Sequence, residues 1–281
     1  MRRIKDKVFR MFMSRFSLVI SCALAASPAL AHEFWLEAPD YQVQPGAEMT
    51  TSIKNGQLFE GMDLAYFGNR TERFDLTFKG TTVPIAARMG DSPALRMVAP
   101  PRDGLLIVAH EASPSSLTYK DWETFVGFTE HKDFKTAVAD HLAAGYPQDK
   151  VRERYTRHSK ALIAIGDGNG SDMELGLETE LTALTNPYAA DFNDMMEVSL
   201  TYAGAPRGDV QVEVYEKDAE KNVEVTIHRT DDAGHVTFPV TPGMTYLVDS
   251  VVLRPAPDVG ETDTSPQWES LWASLTFAVP E

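Results

Sequence analysis

The stretch ALAHEFWLE, residues 29–37, contains a residue whose chemistry depends on where the chain is cut. Release after Ala31 would make His32 the first residue. It would then carry two nitrogen donors, an α-amino group with a reference pKa of about 7.7–8 and an imidazole of about 6.5. The two can chelate one ion. Such a pair suits nickel, cobalt, copper or zinc, whereas calcium and magnesium are held by oxygen. Completing a site takes one or two more donors brought in by folding. His110, at the end of GLLIVAHEA with Glu111 beside it, and His158, in an Arg-rich block, are the candidates best placed by sequence, with His131 after Glu130 a third choice. The plainer reading of His32 is a strand start that the peptidase tolerates. For His110 it is a strand end at the surface, and for His158 packing beside Tyr155 or a hydrogen bond to a carboxylate.

The other histidines offer less. His131 and His141 lie ten residues apart, which at about 100° per residue puts them on different helix faces. His228 and His235 read as ordinary strand and turn residues. The chain has no HExxH and no HxH, so the metal reading is a chemical possibility and not a motif. No G-x-S-x-G elbow, P-loop or GxGxxG on a strand-helix unit is present. GDGNGSD, residues 166–172, lacks the spacing and final Glu of a calcium loop and reads as a turn or connection. Carboxylates are too plentiful to single out a glycosidase pair. Glu153, Arg154, Arg157 and Lys160 form a polar block that could bind an anion or could be a salt-bridged helix face.

The residues ahead of His32 read as an export signal. Residues 1–15 carry six Lys or Arg against one Asp, FSLVISCALAA is apolar over 16–26, and Ala29 and Ala31 stand where a signal peptidase reads. This apolar run falls short of the ~20 residues that a membrane helix needs. A rival cut at Cys22, leaving a lipidated N-terminus, has a short apolar region in front of it. Met11 or Met13 could be the true start. The chain carries a net charge of −15, and loss of residues 1–31 would leave −20 on 250 residues. That surface repels nucleic acid and attracts cations. Cys22, the only cysteine, would leave with the leader, so disulfides and thiolate ligands are excluded from residues 32–281. The expected location is the periplasm, with no integral membrane segment in the mature chain.

The elements that must position these residues read as mainly β. HEFWLEA alternates, and RFDLTF, TTVPIAAR, ALRMVA and GLLIVAHEA are short β-prone runs broken by Gly, Pro and Asp. Residues 116–160 break the rhythm. Phe134, Val138 and Leu142 fall at helical spacing and Glu153 could pair with Arg157 at i, i+4, which predicts two helices joined at Gly145-Tyr146-Pro147. Strands resume near residue 174 with the cadence of a small immunoglobulin-like or prealbumin-like sandwich. The expected organisation is a signal peptide (1–31), an N-terminal β-sandwich (32–115), a helical insertion and connecting loop (116–172) and a C-terminal immunoglobulin-like β-sandwich (173–281).

HEFWLE, ERYTRHSKAL at 153–162, GLETELTALTNPY at 176–188, TDDAGHVTFPV at 230–240 and WESLWASLTF at 268–277 together resemble a bacterial domain-of-unknown-function family. That family is described as a periplasmic component of cobalt or nickel transport systems. His32, Phe34 and Trp35 match its opening signature; Glu153, Arg154, Tyr155, Arg157 and Lys160 match its central block; and Trp268 and Phe277 match its closing strand. The chain departs from it with His158, where similar sequences tend to carry Tyr, and in VDSVVLRP, which lacks a His found near that strand in some relatives. The resemblance implies a non-enzymatic transition-metal binding protein, for nickel or cobalt with copper or zinc as alternatives, that serves a membrane metal transporter or an outer-membrane receptor. Two alternatives stand beside it. One is a copper histidine-brace oxidative enzyme, and the other a non-catalytic envelope or receptor-associated β-sandwich module.

Overall fold

Alternation in HEFWLE is realised in the first strand. Phe34 and Leu36 turn into the main apolar core, whereas Trp35 packs with Phe59, Tyr215 and Leu247 on the other side. The computed structural model describes residues 33–262 and 264–281. His32 and the expected signal peptide lie outside them.

In chain order the strands of the first half are β1 (Glu33–Glu37), β2 (Gln42–Val43), β3 (Glu48–Gln57), β4 (Glu60–Leu64), β5 (Thr71–Phe78), β6 (Thr81–Pro84), β7 (Leu95–Val98), β8 (Gly104–Ala112) and β9 (Ser115–Thr118). Two helices follow, α1 (Trp122–His131) and α2 (Ala137–Ala143), and then the long β10 (Arg152–Ile165). The second half adds β11 (Thr179–Ala183), β12 (Met195–Tyr202), β13 (Ala205–Pro206), β14 (Gln211–Lys217), β15 (Val223–Arg229), β16 (His235–Pro239), β17 (Thr245–Pro255) and β18 (Trp268–Ala278). The chain is mainly β, as expected. A large sheet runs β15-β14-β17-β18-β10-β8-β5-β6, with β2 and β9 also on β10. Smaller sheets are built on β3 (β1, β4, β7) and on β12 (β11, β13, β16).

Strand β10 is the axis of the large sheet. It runs parallel to β18 from Glu153↔Trp268 to Ala161↔Thr276, and antiparallel to β9 at one end and to β8 at the other. The expectation of a helix over this segment is therefore corrected. The reason lies in its burial: from Thr156 to Ile165 every residue is buried, so polar residues occupy both faces and hide the period of two. Its charges find partners only in extended geometry. Arg154 pairs with Glu269 at 2.8 Å and Asp258 at 3.0 Å. Glu153 does not pair with Arg157 but accepts hydrogen bonds from Tyr119 and Ser270.

The helices that do form are short. Asp121 caps α1 by accepting from the Thr124 amide at 2.8 Å. The helix then buries Phe125 and Phe128 against Tyr119, Trp268 and Trp272. The two helices meet at residues 132–136, ahead of the Gly145-Tyr146-Pro147 joint expected from sequence. In α2 the buried positions are Ala137 and His141, while Leu142 is exposed. His141 is a satisfied core residue: its Nδ1 accepts from Trp268 Nε1 at 3.0 Å and its Nε2 lies 3.0 Å from the Pro147 carbonyl.

The 166–172 loop is tied down. A Cβ at Gly168, where φ is +65°, would lie 2.7 Å from the Tyr188 Cβ. At the end of the loop, buried Asp172 meets the Lys160 ammonium at 2.9 Å, and Glu180 meets the same nitrogen at 3.0 Å. Removing the cation would leave two buried carboxylates facing each other. Lys160→Met is therefore expected to lower unfolding free energy by about 3–5 kcal/mol in urea titration, and a loss below 1 kcal/mol would show that the triad contributes little.

Candidate functional site

A cavity of about 610 Å³ opens where β1, β3, β8, β9 and β10 approach one another. Phe34, Ile53, Leu64, Phe67 and Leu117 give it apolar walls, and Tyr119, Tyr155, Asn55 and His110 add polar groups. Among the described residues its charged lining is cationic, Arg70, Lys120 and Arg157. None of the described Asp or Glu residues lines it, although the chain holds 41 of the two types.

Of the predicted donors, His110 belongs to this cavity. Phe34 and Phe74 flank its ring at centroid distances of 5.5 Å each, and Thr71 Oγ1 lies 3.1 Å from its Nε2. That contact fixes the imidazole when Nε2 donates to the hydroxyl, which leaves the Nδ1 lone pair free. Nδ1 is buried and has no hydrogen-bond partner among the described residues. Burial pushes the imidazole down to about 4, so it is neutral near pH 7.

His158 is not brought to the same place. Ile107 and Leu162 are ladder partners. His110 lies three residues from Ile107 and His158 four from Leu162, so the two imidazoles leave opposite faces of the sheet. His158 instead stands with Nε2 3.7 Å from Glu111 Oε1 and Nδ1 3.3 Å from the Trp272 carbonyl. The closeness of His158 is the largest cause holding Glu111 below the usual carboxylate range, and a nearby Arg73 adds to it. His131 is also elsewhere, 3.4 Å from Glu213. His228 lies 2.9 Å from Thr226 Oγ1 and His235 3.6 Å from Glu197. Among the described residues no three His, Cys, Asp or Glu side chains are arranged to hold a metal ion.

Sequence reasoning missed a second polar layer beside the cavity. Glu33, the first described residue, is buried and accepts from the Tyr215 hydroxyl at 3.1 Å. Tyr215 also bonds Glu213, and Lys132 spans Glu213 and Asp249 at 2.9 Å each while sitting 4.9 Å from the Trp272 ring centroid. Burial raises Glu33 to about 7, reinforced by the charge of Asp249. Asp249 is likewise pushed up by burial, whereas for Glu213 burial is outweighed by His131, Lys132 and Tyr215, which hold it well below its ordinary value. The adjacency of Glu33 to His32 was a signal in the sequence. The other members come from the residue after α1 and from β14 and β17, and gave none.

A sequence-family model described as "Domain of unknown function (DUF4198)" matches residues 29–253. No curated protein matches the chain. Two solved structures align over 88% of it: the tetra-tandem repeat in the extending region of a large adhesion protein, at 11% identity and TM-score 0.24, and the D0-D1 domain of intimin, at 10% and 0.21. The chain spans 49% of the former and 97% of the latter. Among the described residues no helix is long and apolar enough to cross a membrane.

The two shifted groups at this site pull stability in opposite directions with pH. His110 has a depressed pKa, so its contribution is complete above 6.5 and lost as pH falls through about 4. Glu33 has a raised one, so its contribution is complete below 4.5 and lost as pH rises through about 7. Each is worth about 3 kcal/mol. Unfolding free energies measured from pH 4 to 7.5 should show His110→Gln gaining on the native chain toward acid and Glu33→Gln gaining toward neutrality. Parallel profiles for all three proteins would remove both assignments.

Proposed function

The chain belongs to the DUF4198 family, and on that footing we propose that it is a non-catalytic binding protein working in the periplasm. It captures a transition-metal ion, nickel or cobalt in preference to copper or zinc, and passes it to a membrane transporter or outer-membrane receptor. The residues that would hold the ion are His32, through its α-amino nitrogen and imidazole after release at Ala31, and His110. Such an ion supplies an electrophilic centre for nitrogen donors.

The observation that carries this reading is the state of His110. A buried imidazole normally uses both nitrogens. Here one nitrogen is fixed by Thr71, the other is unpartnered among the described residues, the ring is kept neutral, and the residue lines a cavity together with Phe34. Neutral, oriented imidazole is the form in which histidine binds a metal. His158, on the far face of β10, is left out of this site. Its departure from the family pattern agrees with a role beside Glu111.

The test begins with the N-terminus of the exported protein, read by mass spectrometry. That form is then titrated with nickel, cobalt, copper and zinc beside one bearing a single extra residue before His32 and beside His110→Gln. Both altered forms should bind nickel or cobalt at least tenfold more weakly, about 1.4 kcal/mol each. Equal binding by all three, or a secreted product that starts elsewhere, defeats the proposal. Ascorbate-driven oxidation by the copper form would favour the histidine-brace enzyme instead, and no metal uptake would leave an envelope sandwich module.

A further inference from the structure

Arg157 is the least answered charge on β10. The residue is 9% exposed, and a guanidinium stays protonated in proteins. Tyr155, Phe34 and Trp272 surround it, with ring centroids 4.8, 5.6 and 5.5 Å from its Cζ. Nη1 donates to Asn55 Oδ1 at 2.7 Å, and Nε has no partner among the described residues. Among the described residues each carboxylate that bears on it has another partner, Asp249 in Lys132, Glu153 in Tyr119 and Ser270, and Glu33 in Tyr215, although Asp249 Oδ1 and Glu33 Oε2 are themselves unpartnered. Arg157 makes no ion pair with any of them, whereas Arg154 and Lys160 on the same strand make two each.

Buried cations are ordinarily paired with an anion. The other charged groups lining the cavity, Arg70 and Lys120, are exposed, are likewise cationic, and add to the same potential. A positive pocket in so acidic a chain concentrates small anions while the rest of the surface repels them. The walls, however, are mostly apolar or aromatic, which a bare inorganic ion would leave unsatisfied.

We propose that this cavity binds a small organic carboxylate with a flat apolar body. The carboxylate pairs with the Arg157 guanidinium, whose planar donors match it, and the body lies against Phe34, Tyr155 and neighbouring apolar side chains. Such binding needs no metal and stands whether or not His32 and His110 hold one.

Benzoate, its neutral analogue benzamide and inorganic phosphate serve as probes in calorimetric titrations of the protein stripped over a chelating resin. Benzoate should bind at least tenfold more tightly than either of the others, and more weakly as salt is raised. Asn55→Asp places a carboxylate against Arg157 without changing shape. It should raise the thermal midpoint and weaken benzoate at least tenfold. Arg70→Gln, an exposed change, should weaken benzoate severalfold with the midpoint unchanged. The proposal is overturned if benzamide matches benzoate, if phosphate matches benzoate, if no probe binds, or if Asn55→Asp binds benzoate like the native chain.

Discussion

Burial on both faces of β10 is the constraint from which the rest follows. A strand at the centre of a sheet, flanked by β18 and β8 and buried on both faces from Thr156 to Ile165, has to find partners for most of its charges inside the protein, because water reaches little of it. Arg154 is answered by Glu269 and Asp258, Lys160 by Asp172 and Glu180, and Glu153 by two hydroxyls. These pairings dictate what surrounds the strand. The 166–172 loop is drawn in so that Asp172 reaches Lys160, and Tyr119 is placed so that its hydroxyl reaches Glu153, which in turn sets the start of α1.

The strand also sorts chemistry between two sides. Odd-numbered residues Glu153, Tyr155, Arg157 and Ser159 face β1, the helices and the cavity, whereas His158 and Lys160 face Glu111 and β11. A site assembled from this strand can draw on one set only. That is why His110, which shares the cavity with Arg157, is separated from His158 even though the two lie on neighbouring parts of one sheet.

Much of the architecture could be read from sequence because it rests on local patterns. Short β-prone runs punctuated by Gly and Pro became strands, and the Asp121 cap and aromatic positions of α1 follow ordinary helix rules. The plainer reading of His158 expected a hydrogen bond to a carboxylate, and Glu111 stands beside it at 3.7 Å, too far for one. What could not be read depends on partners far away in the chain. ERYTRHSKAL has helix-forming composition, and only the burial of both its faces makes it a strand. His110 was read as closing a strand, at the surface in the plainer reading, but it lies within β8 and is buried, because Phe34 and Phe74 are brought up against its ring from two other strands. The cationic lining joins residues 70, 120 and 157, which no spacing rule connects. The fold therefore shows in composition and period, while the site shows only in topology.

Trp272 gives the molecule a property of a different kind. Its indole lies beneath two buried cations, with the Lys132 ammonium 4.9 Å and the Arg157 guanidinium 5.5 Å from the ring centroid. Indole emission responds to nearby charge, and one of those cations borders the cavity while the other belongs to the carboxylate layer behind it. One of the chain's four tryptophans thus stands between the two, so part of the native emission responds to how either side is occupied, with no dye or label attached.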